Sequence, residues 1–460
     1  MSGGNVLPVR AFLYRLAWTV ARPLAAALAH GRGKLGAAVR GRRGAVRVLA
    51  DWARRSREPG KPLVWFHAAS VGEGRQAEAV LTRLRAARPS WQIAYTYSSP
   101  SAARWAESLQ ADVAGYVPFD TPGETAAALD ALRPAAVVFA TTDVWPELVR
   151  QAASRHVALG LVSATLAPTS SRRRAGARWL LGPAYAALDR VGAIDASDAA
   201  ALERSGVPKA RLTVTGDTRH DAAHARIAAL AADAPHLAAL RGGPDRRPLV
   251  VAGSTWPSDE RVLMPALRAA QRAGARFRVV IAPHEPTAEH LAALDGKLDY
   301  CMPAEMRRVR LSSLLAAGDL RPPAAGHLPS GDWDAVVVDQ VGLLAELYTI
   351  ASLAYVGGGF HGKGLHSVIE PAAAGVPVLF GPRWHGSRDA RLLLEAGAAR
   401  SARDRRELAA AFTDWLTNEA ARASAAQAAR AVVERGRGAA DRSVQLVIDL
   451  VEHRPPTPTP

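Results

Sequence analysis

A chain of 460 residues with 49% hydrophobic residues is too long for one ordinary core and can bury two, so its length predicts two domains. Its single cysteine, Cys301, excludes an intramolecular disulfide framework and favours a reducing compartment, the cytoplasm. The net charge of +16 is concentrated at the amino terminus, because residues 1–50 contain nine basic residues and no acidic residue. That concentration points to an anionic partner for the amino-terminal segment.

The first predicted element is a basic helix with interfacial aromatic residues, Ala11–Leu24. Arg15 and Arg22 would together cost about 5 to 7 kcal/mol inside a bilayer, so the helix is predicted to lie on an anionic membrane surface rather than to span it. A signal peptide is disfavoured because no small-residue cleavage site follows. The alternative is a basic surface helix packed on the first domain. Nucleic acid is not expected as a partner.

From residue 62 onward, short apolar runs rich in β-formers alternate with helical stretches, which is typical of a parallel sheet wrapped by helices. A stretch punctuated by proline and glycine, Ala222–Arg247, follows the first sheet and predicts a linker. The predicted strands of the first sheet are Leu63–His67, Gln92–Tyr97, Val113–Pro118, Ala136–Ala140, Ala158–Ser163, Val191–Asp195 and Leu212–Thr215.

A second sheet follows, then charged, alanine-rich helices. Its predicted strands are Pro248–Gly253, Phe277–Pro283, Ala335–Asp339, Leu353–Gly358 and Pro377–Gly381. The predicted architecture is α/β, with two Rossmann-like, doubly wound domains that face a central cleft and a basic amino-terminal membrane-associating helix. The predicted boundaries are 1–55 for the membrane anchor, 56–225 for an acceptor-binding domain, 226–247 for the linker, 248–452 for a nucleotide-sugar-binding domain with closing helices, and 453–460 for a disordered tail.

The segment His67-Ala68-Ala69-Ser70-Val71-Gly72-Glu73 joins the first predicted strand to the helix that follows it. By spacing, Ser70 and Glu73 form a capping box, in which Glu73 would only satisfy an orphan amide. A carboxylate at a helix start beside a cleft could instead accept a proton from an incoming hydroxyl. The spacing is compatible with both interpretations.

A glycine triplet, Gly357–Gly359, ends a predicted strand in the second half, and Glu370-Pro371-Ala372-Ala373-Ala374-Gly375-Val376-Pro377 follows it. Glycines at that point let backbone amides approach a phosphate, and an acid can bind ribose hydroxyls. Such a string after a glycine triplet is typical of the nucleotide sites of GT-B glycosyltransferases. By itself, a glycine run also fits a tight turn.

The chain resembles the 3-deoxy-D-manno-octulosonic acid (Kdo) transferases of lipopolysaccharide synthesis through most of its length. The resemblance includes the basic amino terminus and a series of short segments in both halves. The segments are His67–Glu73, Thr96–Pro100, Tyr116–Asp120, Asp143–Pro146, Gly216–Asp221, Ala252–Trp256, Ala282–Glu285 and Val356–Pro382.

The resemblance implies a GT-B fold and transfer of Kdo from CMP-Kdo to a hydroxyl of a lipid A precursor, at the cytoplasmic face of the inner membrane. Inversion at the anomeric carbon, no metal and no cofactor besides the donor are implied as well. Glu73 matches the family's general base. Acceptor-binding roles are predicted for Ser70, Asp143 and Arg172. The residues predicted to hold the CMP-sugar are Gly253, Ser254, Pro283, His284, Gly358, Gly359 and Glu370.

The sequence departs from the family pattern at three places. Thr141-Thr142-Asp143 stands where many members have a second acid pair, Ser367 stands where many have asparagine, and Pro283-His284-Glu285 replaces a Pro-Arg-His. Asp143 could also be a helix cap, and Arg172 part of a solvated basic face. The alternative functions are a nucleotide-sugar epimerase of the same architecture and a membrane-bound module that has lost activity.

Overall fold

The computed structural model describes residues 9–28, 33–167, 170–230, 234–241, 247–303, 305–318 and 333–453. The chain divides into two compact units. The first comprises the described residues up to Ala222 together with those from Gly436 onward, and the second comprises Ala223–Arg435. The Gly242-Gly243-Pro244 end of the predicted linker and the predicted tail from Arg454 onward lie outside the described residues.

The first unit contains a seven-stranded, all-parallel sheet whose central strands are buried on both faces, as apolar runs in a helix-covered sheet must be. Its strands are β1 (Leu63–His67), β2 (Gln92–Tyr97), β3 (Val113–Tyr116), β4 (Ala136–Ala140), β5 (Ala158–Ala164), β6 (Arg190–Ala193) and β7 (Leu212–Val214). Their order is β3-β2-β1-β4-β5-β6-β7, so the order reverses between β1 and β4. In doubly wound folds, ligands bind at the carboxyl ends of the strands beside such a reversal.

Helices connect these strands, and three more precede β1. They are α1 (Val9–Leu28), α2 (Lys34–Arg43), α3 (Ala45–Ser56), α4 (Val71–Ala87), α5 (Ala103–Ala106), α6 (Pro122–Leu132), α7 (Pro146–Ser154), α8 (Ala175–Ala186), α9 (Ala196–Arg204) and α10 (Thr218–Ala228).

The second unit has the same kind of sheet. Its strands are β8 (Leu249–Thr255), β9 (Arg278–Pro283), β10 (Arg308–Arg310), β11 (Ala335–Val337), β12 (Leu353–Val356), β13 (Val378–Phe380) and β14 (Ala399–Ser401). Their order is β10-β11-β9-β8-β12-β13-β14, which reverses between β8 and β12. The helices are α11 (Pro235–Arg241), α12 (Pro257–Arg272), α13 (Ala288–Cys301), α14 (Leu311–Gly318), α15 (Leu344–Tyr348), α16 (Ile369–Ala373), α17 (Arg388–Glu395), α18 (Arg405–Thr417) and α19 (Glu419–Gly436).

Every strand predicted from the sequence is present, with ends that differ by at most two residues. Two strands were not predicted, β10 and β14. Both are three residues long, contain arginine and occupy the two edges of the second sheet. Short, charged strands are common at sheet edges because they discourage pairing with other chains, and they lack the apolar run that reveals a central strand.

The predicted anchor over residues 1–55 is not one segment. Helices α2 and α3 pack into the first unit through buried Val39, Ala45 and Leu49. Arg42, counted among the basic residues of the anchor, is also buried and donates to the carbonyl oxygens of Val117 and Pro118 at 3.1 and 2.7 Å. The segment from α2 onward therefore belongs to the first unit's fold.

Helix α1 docks by one face and exposes the other. The Tyr14 hydroxyl donates to the Asp120 carboxylate at 2.7 Å, and Nη2 of Arg15 lies 2.9 Å from Oε1 of Glu147. Four of the exposed residues are large and apolar and follow a helical repeat: Val9, Phe12, Leu13 and Leu16. No helix in the described part of the chain is long and apolar enough to cross a membrane.

The last helix, α20 (Ala439–Glu452), packs on the first unit, whereas the sequence assigned it to the second domain. Its buried side chains join the core on one face of the first sheet, together with residues of β1, β4 and α4. Gly160 of β5 makes room for it, since a Cβ there would lie 2.8 Å from Cδ2 of Leu450. Asp221 accepts hydrogen bonds from the amides of Gly438 and Ala440 at the start of α20.

The predicted linker is partly folded. The two units separate inside α10, between Ala222 and Ala223, upstream of the predicted linker over residues 226–247. Helix α11 lies within that predicted linker and buries Leu237 and Leu240 in the second unit's core. The proline and glycine residues of this segment predicted a linker. The apolar residues on one face of α11 instead pack into the core of the second unit.

Candidate functional site

Glu73 lies in the first turn of α4, which follows β1 at the point where the first sheet reverses its strand order. Oγ of Ser70 accepts from the Glu73 amide at 3.4 Å, and Oε2 of Glu73 accepts from the Ala69 amide at 2.8 Å. This is a capping arrangement displaced by one residue, since the usual box returns the glutamate to the N-cap amide. Glu73 is half-buried, and only its Oε2 accepts the capping hydrogen bond from Ala69.

The surroundings of Glu73 raise its pKa above the ordinary value. Burial makes the largest contribution and the negative charge of Asp143 the second, while the Ala69 hydrogen bond, His67 and Arg172 act in the opposite direction. A carboxylate with a raised pKa is a stronger base, so the ionised form of Glu73 accepts a proton more readily. An acid with a raised pKa at the carboxyl ends of the strands, where the strand order reverses, is a candidate for catalysis.

Asp143 and Arg172, predicted separately from the sequence, form a pair. Nη2 of Arg172 donates to Oδ1 of Asp143 at 2.9 Å, and both charges act on Glu73. Asp143 follows β4, and Arg172 follows β5, so the carboxyl ends of neighbouring parallel strands bring them together. Ser70 is used as the N-cap of α4.

His67, the last residue of β1, is fully buried and has a hydrogen-bond partner at each ring nitrogen. The Trp145 indole N–H donates to Nε2 of His67 at 2.9 Å, and Nδ1 of His67 lies 3.1 Å from Oγ1 of Thr96. An indole can only donate, so Nε2 of His67 accepts in this bond, and the same nitrogen lies 3.5 Å from Oδ2 of Asp143. His67 and Arg172 are therefore both neighbours of the Asp143 carboxylate.

The start of α4 is fixed by close packing at Gly74. A Cβ at this position would lie 2.3 Å from the Trp105 ring and 2.8 Å from the Tyr95 hydroxyl oxygen. The helix therefore passes over these two rings more closely than any side chain would allow, directly after Glu73. Tyr95 is fully buried, and Glu73 is among the groups that raise its pKa.

In the second unit, the predicted donor residues other than Glu370 lie at the carboxyl ends of β8, β9 and β12. Gly253 passes under Tyr348, since a Cβ there would lie 2.2 Å from the Tyr348 hydroxyl oxygen. Ser254 adopts φ +53°, an uncommon conformation for a residue with a side chain. Gly358 has φ +90°, and its Cβ position lies 2.2 Å from the Gly364 carbonyl oxygen. This turn needs glycine for steric reasons.

Asp259, in the first turn of α12, holds the glycine-rich turn and was not identified from the sequence. Its fully buried carboxylate accepts from the amides of Gly358 at 2.8 Å, Phe360 at 3.0 Å and Trp256 at 3.0 Å. The Gly358 amide is thus occupied by a carboxylate and is not offered to a phosphate, which corrects the sequence-based expectation at that residue. The only sequence signal was an acid three residues after Trp256, at the spacing of a helix cap.

Histidines surround Trp256 at the same strand ends. The ring of His361 stacks on Trp256 with centroids 4.2 Å apart, and His284 and His366 stack on each other at 4.3 Å. Nε2 of His366 accepts from the Trp256 indole at 2.8 Å, and burial, followed by the neighbouring His284, lowers the pKa of His366 to about 4. The ammonium of Lys363 lies 4.8 Å from the Trp256 ring centroid. Among the described residues, no group of His, Cys, Asp and Glu is arranged as a metal site.

Glu370 lies in α16, and Nη1 of Arg226 is 3.4 Å from its Oε1. Burial, with the Glu370 charge second, raises the pKa of Tyr348, the tyrosine that packs over Gly253. The predicted donor residues Gly253 and Glu370 are therefore connected through Tyr348. Pro283 ends β9 directly before His284. A Cβ at Gly359 would lie 2.4 Å from the Gly381 amide nitrogen, so this position too is packed closely against backbone.

Comparison with known proteins identifies relatives over more than four-fifths of the chain. The family model described as 3-deoxy-D-manno-octulosonic-acid transferase matches residues 40–222. The 3-deoxy-D-manno-octulosonic acid transferase of Bordetella pertussis is 30% identical over 401 residues, which is 84% of this chain and 87% of that protein. That of Chlamydia muridarum is 26% identical over 381 residues, covering 82% and 81% of the two chains.

Among solved structures, the UDP-GlcNAc 2-epimerase from Neisseria meningitidis bound to UDP-GlcNAc aligns with a TM-score of 0.58 at 12% identity. The alignment covers 85% of this chain and all of that one. At this identity the similarity shows the fold alone, two Rossmann-like units of the GT-B type. Identity and coverage together place the chain in the 3-deoxy-D-manno-octulosonic acid (Kdo) transferase family of glycosyltransferases.

Proposed function

We propose that this glycosyltransferase transfers Kdo from CMP-Kdo to a hydroxyl of a lipid A precursor, with inversion at the anomeric carbon and Glu73 as general base. The acceptor hydroxyl oxygen attacks the anomeric carbon while the bond from that carbon to the CMP phosphate oxygen breaks. CMP leaves with the bonding electrons, and the hydroxyl proton passes to Glu73. Attack opposite the leaving phosphate gives inversion in a single displacement.

The observation that carries this proposal is the position of Glu73, in the first turn of α4 at the reversal of strand order, near the Asp143 and Arg172 pair. Burial and the Asp143 charge raise the pKa of Glu73 there. A group that only capped a helix would gain from being ionised, because the helix start favours negative charge. Here burial and a like charge oppose ionisation, which suits proton acceptance. We assign Ser70, Asp143 and Arg172 to the acceptor side, where Arg172 can bind an acceptor oxygen or phosphate.

On the donor side, we assign Gly253, Ser254, Pro283, His284, Gly358, Gly359 and Glu370 to the CMP-sugar. Since Asp259 occupies the Gly358 amide, the anionic groups of the donor need other partners. Lys363 and His361, both beside Trp256, supply a cation and a ring N–H at the same strand ends. Glycines at positions 253, 358 and 359 contribute shape by letting backbone and ligand approach closely.

We place the protein at the cytoplasmic face of the inner membrane, held at the surface by α1. The exposed apolar row Val9, Phe12, Leu13 and Leu16 supports this placement, since a docked helix that presents such a row is suited to lie in the interface. Arg15 is paired with Glu147 and so contributes less to lipid attraction than the sequence suggested.

Incubation with CMP-Kdo and a tetra-acylated lipid A precursor, followed by mass spectrometry of the lipid, tests the function. The expected result is a mass increase of the acceptor by one or more Kdo residues together with release of CMP. Nuclear magnetic resonance of the isolated product reports the anomeric configuration. An acceptor that keeps its mass in the presence of intact donor and folded protein contradicts the proposal.

A further inference from the structure

An open basin with a volume of about 530 Å³ lies on the first unit between α1, α8 and the turn after α9. Two of its lining residues, Gly182 and Gly206, are in close backbone contact. A Cβ at Gly206, where φ is +118°, would lie 2.9 Å from the carbonyl oxygen of Gly182. Two glycines therefore allow α8 and the end of α9 to meet, and this contact brings Arg204 to the same basin as Arg178.

Three arginines from three elements line the basin: Arg10 of α1, Arg178 of α8 and Arg204 of α9. Among the described residues, no acidic side chain lines it. Arg10 lies over the ring of Trp179, with Cζ 5.2 Å from the ring centroid, and Trp179 is 42% exposed. All three arginines are exposed, and within the described part of the chain none of their side chains forms an ion pair.

The neighbourhood of the basin indicates the ligand. Arg10 follows Val9, the first residue of the exposed apolar row on α1. Guanidinium groups bind phosphate oxygens in pairs through their planar fork, and a half-exposed tryptophan is typical of the boundary between headgroups and acyl chains. A cationic basin beside an apolar row matches a molecule with an anionic head and an apolar tail.

We propose that this basin binds the headgroup phosphate of an anionic glycerophospholipid of the bilayer. Arg178 and Arg204 hold the phosphate, Arg10 closes the side next to α1, and Trp179 lies at the level of the glycerol. This inference rests on the membrane association proposed above and adds to it a headgroup site built by α8 and α9, outside the amino-terminal segment.

The test uses flotation of the full chain with vesicles at fixed ionic strength, and a charge-conserving double variant, Arg178→Lys with Arg204→Lys. Diffuse attraction depends on charge alone and is retained by lysine, whereas paired phosphate recognition is lost. We expect partitioning onto vesicles of phosphatidylcholine with phosphatidylglycerol to fall about tenfold, the scale of one charge-assisted hydrogen bond. Partitioning onto pure phosphatidylcholine should be unchanged.

The matched control is Arg272→Lys with Arg276→Lys, two exposed arginines of the second unit, which should partition like the parent. Equal partitioning of the Arg178→Lys, Arg204→Lys variant and the parent overturns the proposal, provided that both have the same melting temperature. Equal losses in the control and in the basin variant overturn it too.

A kinetic measurement separates this site from the acceptor site. With acceptor dispersed in neutral detergent without phospholipid, the basin variant should transfer Kdo with the parent's KM and kcat. A raised KM for the acceptor under these conditions would assign the basin to the acceptor's own phosphates and overturn the bilayer proposal. Failure of the parent itself to transfer Kdo would count against the proposed function and leave the flotation result standing.

Discussion

Glu73 accepts a hydrogen bond from the Ala69 amide and lies beside the Asp143 carboxylate, and a helix cap and a general base would respond differently to its replacement. Glu73→Gln keeps an oxygen that can accept from Ala69, so the melting temperature and CMP affinity should stay near the parent's. Glutamine cannot accept the proton, so kcat should fall about 10²- to 10⁴-fold. Steady-state transfer assays with thermal unfolding check this. A folded variant with parental turnover leaves Glu73 as a cap.

Asp143 and Arg172 act on Glu73 with opposite signs, which gives a paired prediction. The base works when Glu73 is ionised, so activity is lost as the pH falls through its pKa. Asp143→Asn removes the like charge, lowers the pKa of Glu73 and should move the acid limb of the kcat/KM profile to lower pH. Arg172→Gln removes a cation and should move it to higher pH.

The comparison depends on the position of each acid limb, so losses of absolute rate in either variant do not affect it. Movement of both limbs in the same direction, or of neither, would show that the titrating group is not Glu73 in this environment.

At the scale of elements, the contact between α12 and the glycine-rich turn after β12 depends on one side chain. Asp259→Asn places an amide NH₂ against backbone N–H groups that need an acceptor. We expect the free energy of unfolding of the second unit to fall by about 2 to 4 kcal/mol and CMP affinity to fall about tenfold or more. Chemical denaturation and calorimetry measure the two effects. Retained CMP affinity would mean that the turn does not contact the nucleotide.

Helix α1 gives a prediction in which its two faces behave differently. Phe12→Ser with Leu16→Ser removes two exposed apolar side chains, so vesicle partitioning should drop about 100-fold with little change in stability. Tyr14→Phe removes the hydrogen bond to Asp120 and should lower the free energy of unfolding by about 1 to 2 kcal/mol while partitioning persists. If the serine variant floats as well as the parent, α1 is only a surface helix.

On the scale of the whole molecule, the second unit is inserted in the chain between two parts of the first, so the first unit depends on α20 from beyond the second. Residues 33–222 alone should fail to fold, since they lack the buried side chains of α20 that complete one face of the sheet. Joining 436–453 to them through a flexible linker should restore a cooperative transition, whereas residues 223–435 should fold without help. Circular dichroism and thermal unfolding of the three fragments test this. Cooperative folding of 33–222 alone would refute it.

The sequence alone determined the central strands, the site motif and the family. Central strands of parallel sheets are apolar runs whose signal is local, and the segment from His67 to Glu73 is contiguous, so both can be read residue by residue. The resemblance, carried by such contiguous segments, is confirmed by the relatives.

Only the tertiary structure decided which distant groups meet. Asp259 lies 99 residues from Gly358 in the chain. Helix α20 begins more than 200 residues after Ala222, where the first stretch of the first unit ends. From the sequence alone, Asp143 and Arg172 could each have been a solvated surface group. In the structure, the ends of neighbouring parallel strands bring them together near Glu73. Contacts between residues far apart in the chain depend on the packing of whole elements, and no local pattern of apolar and polar residues specifies them.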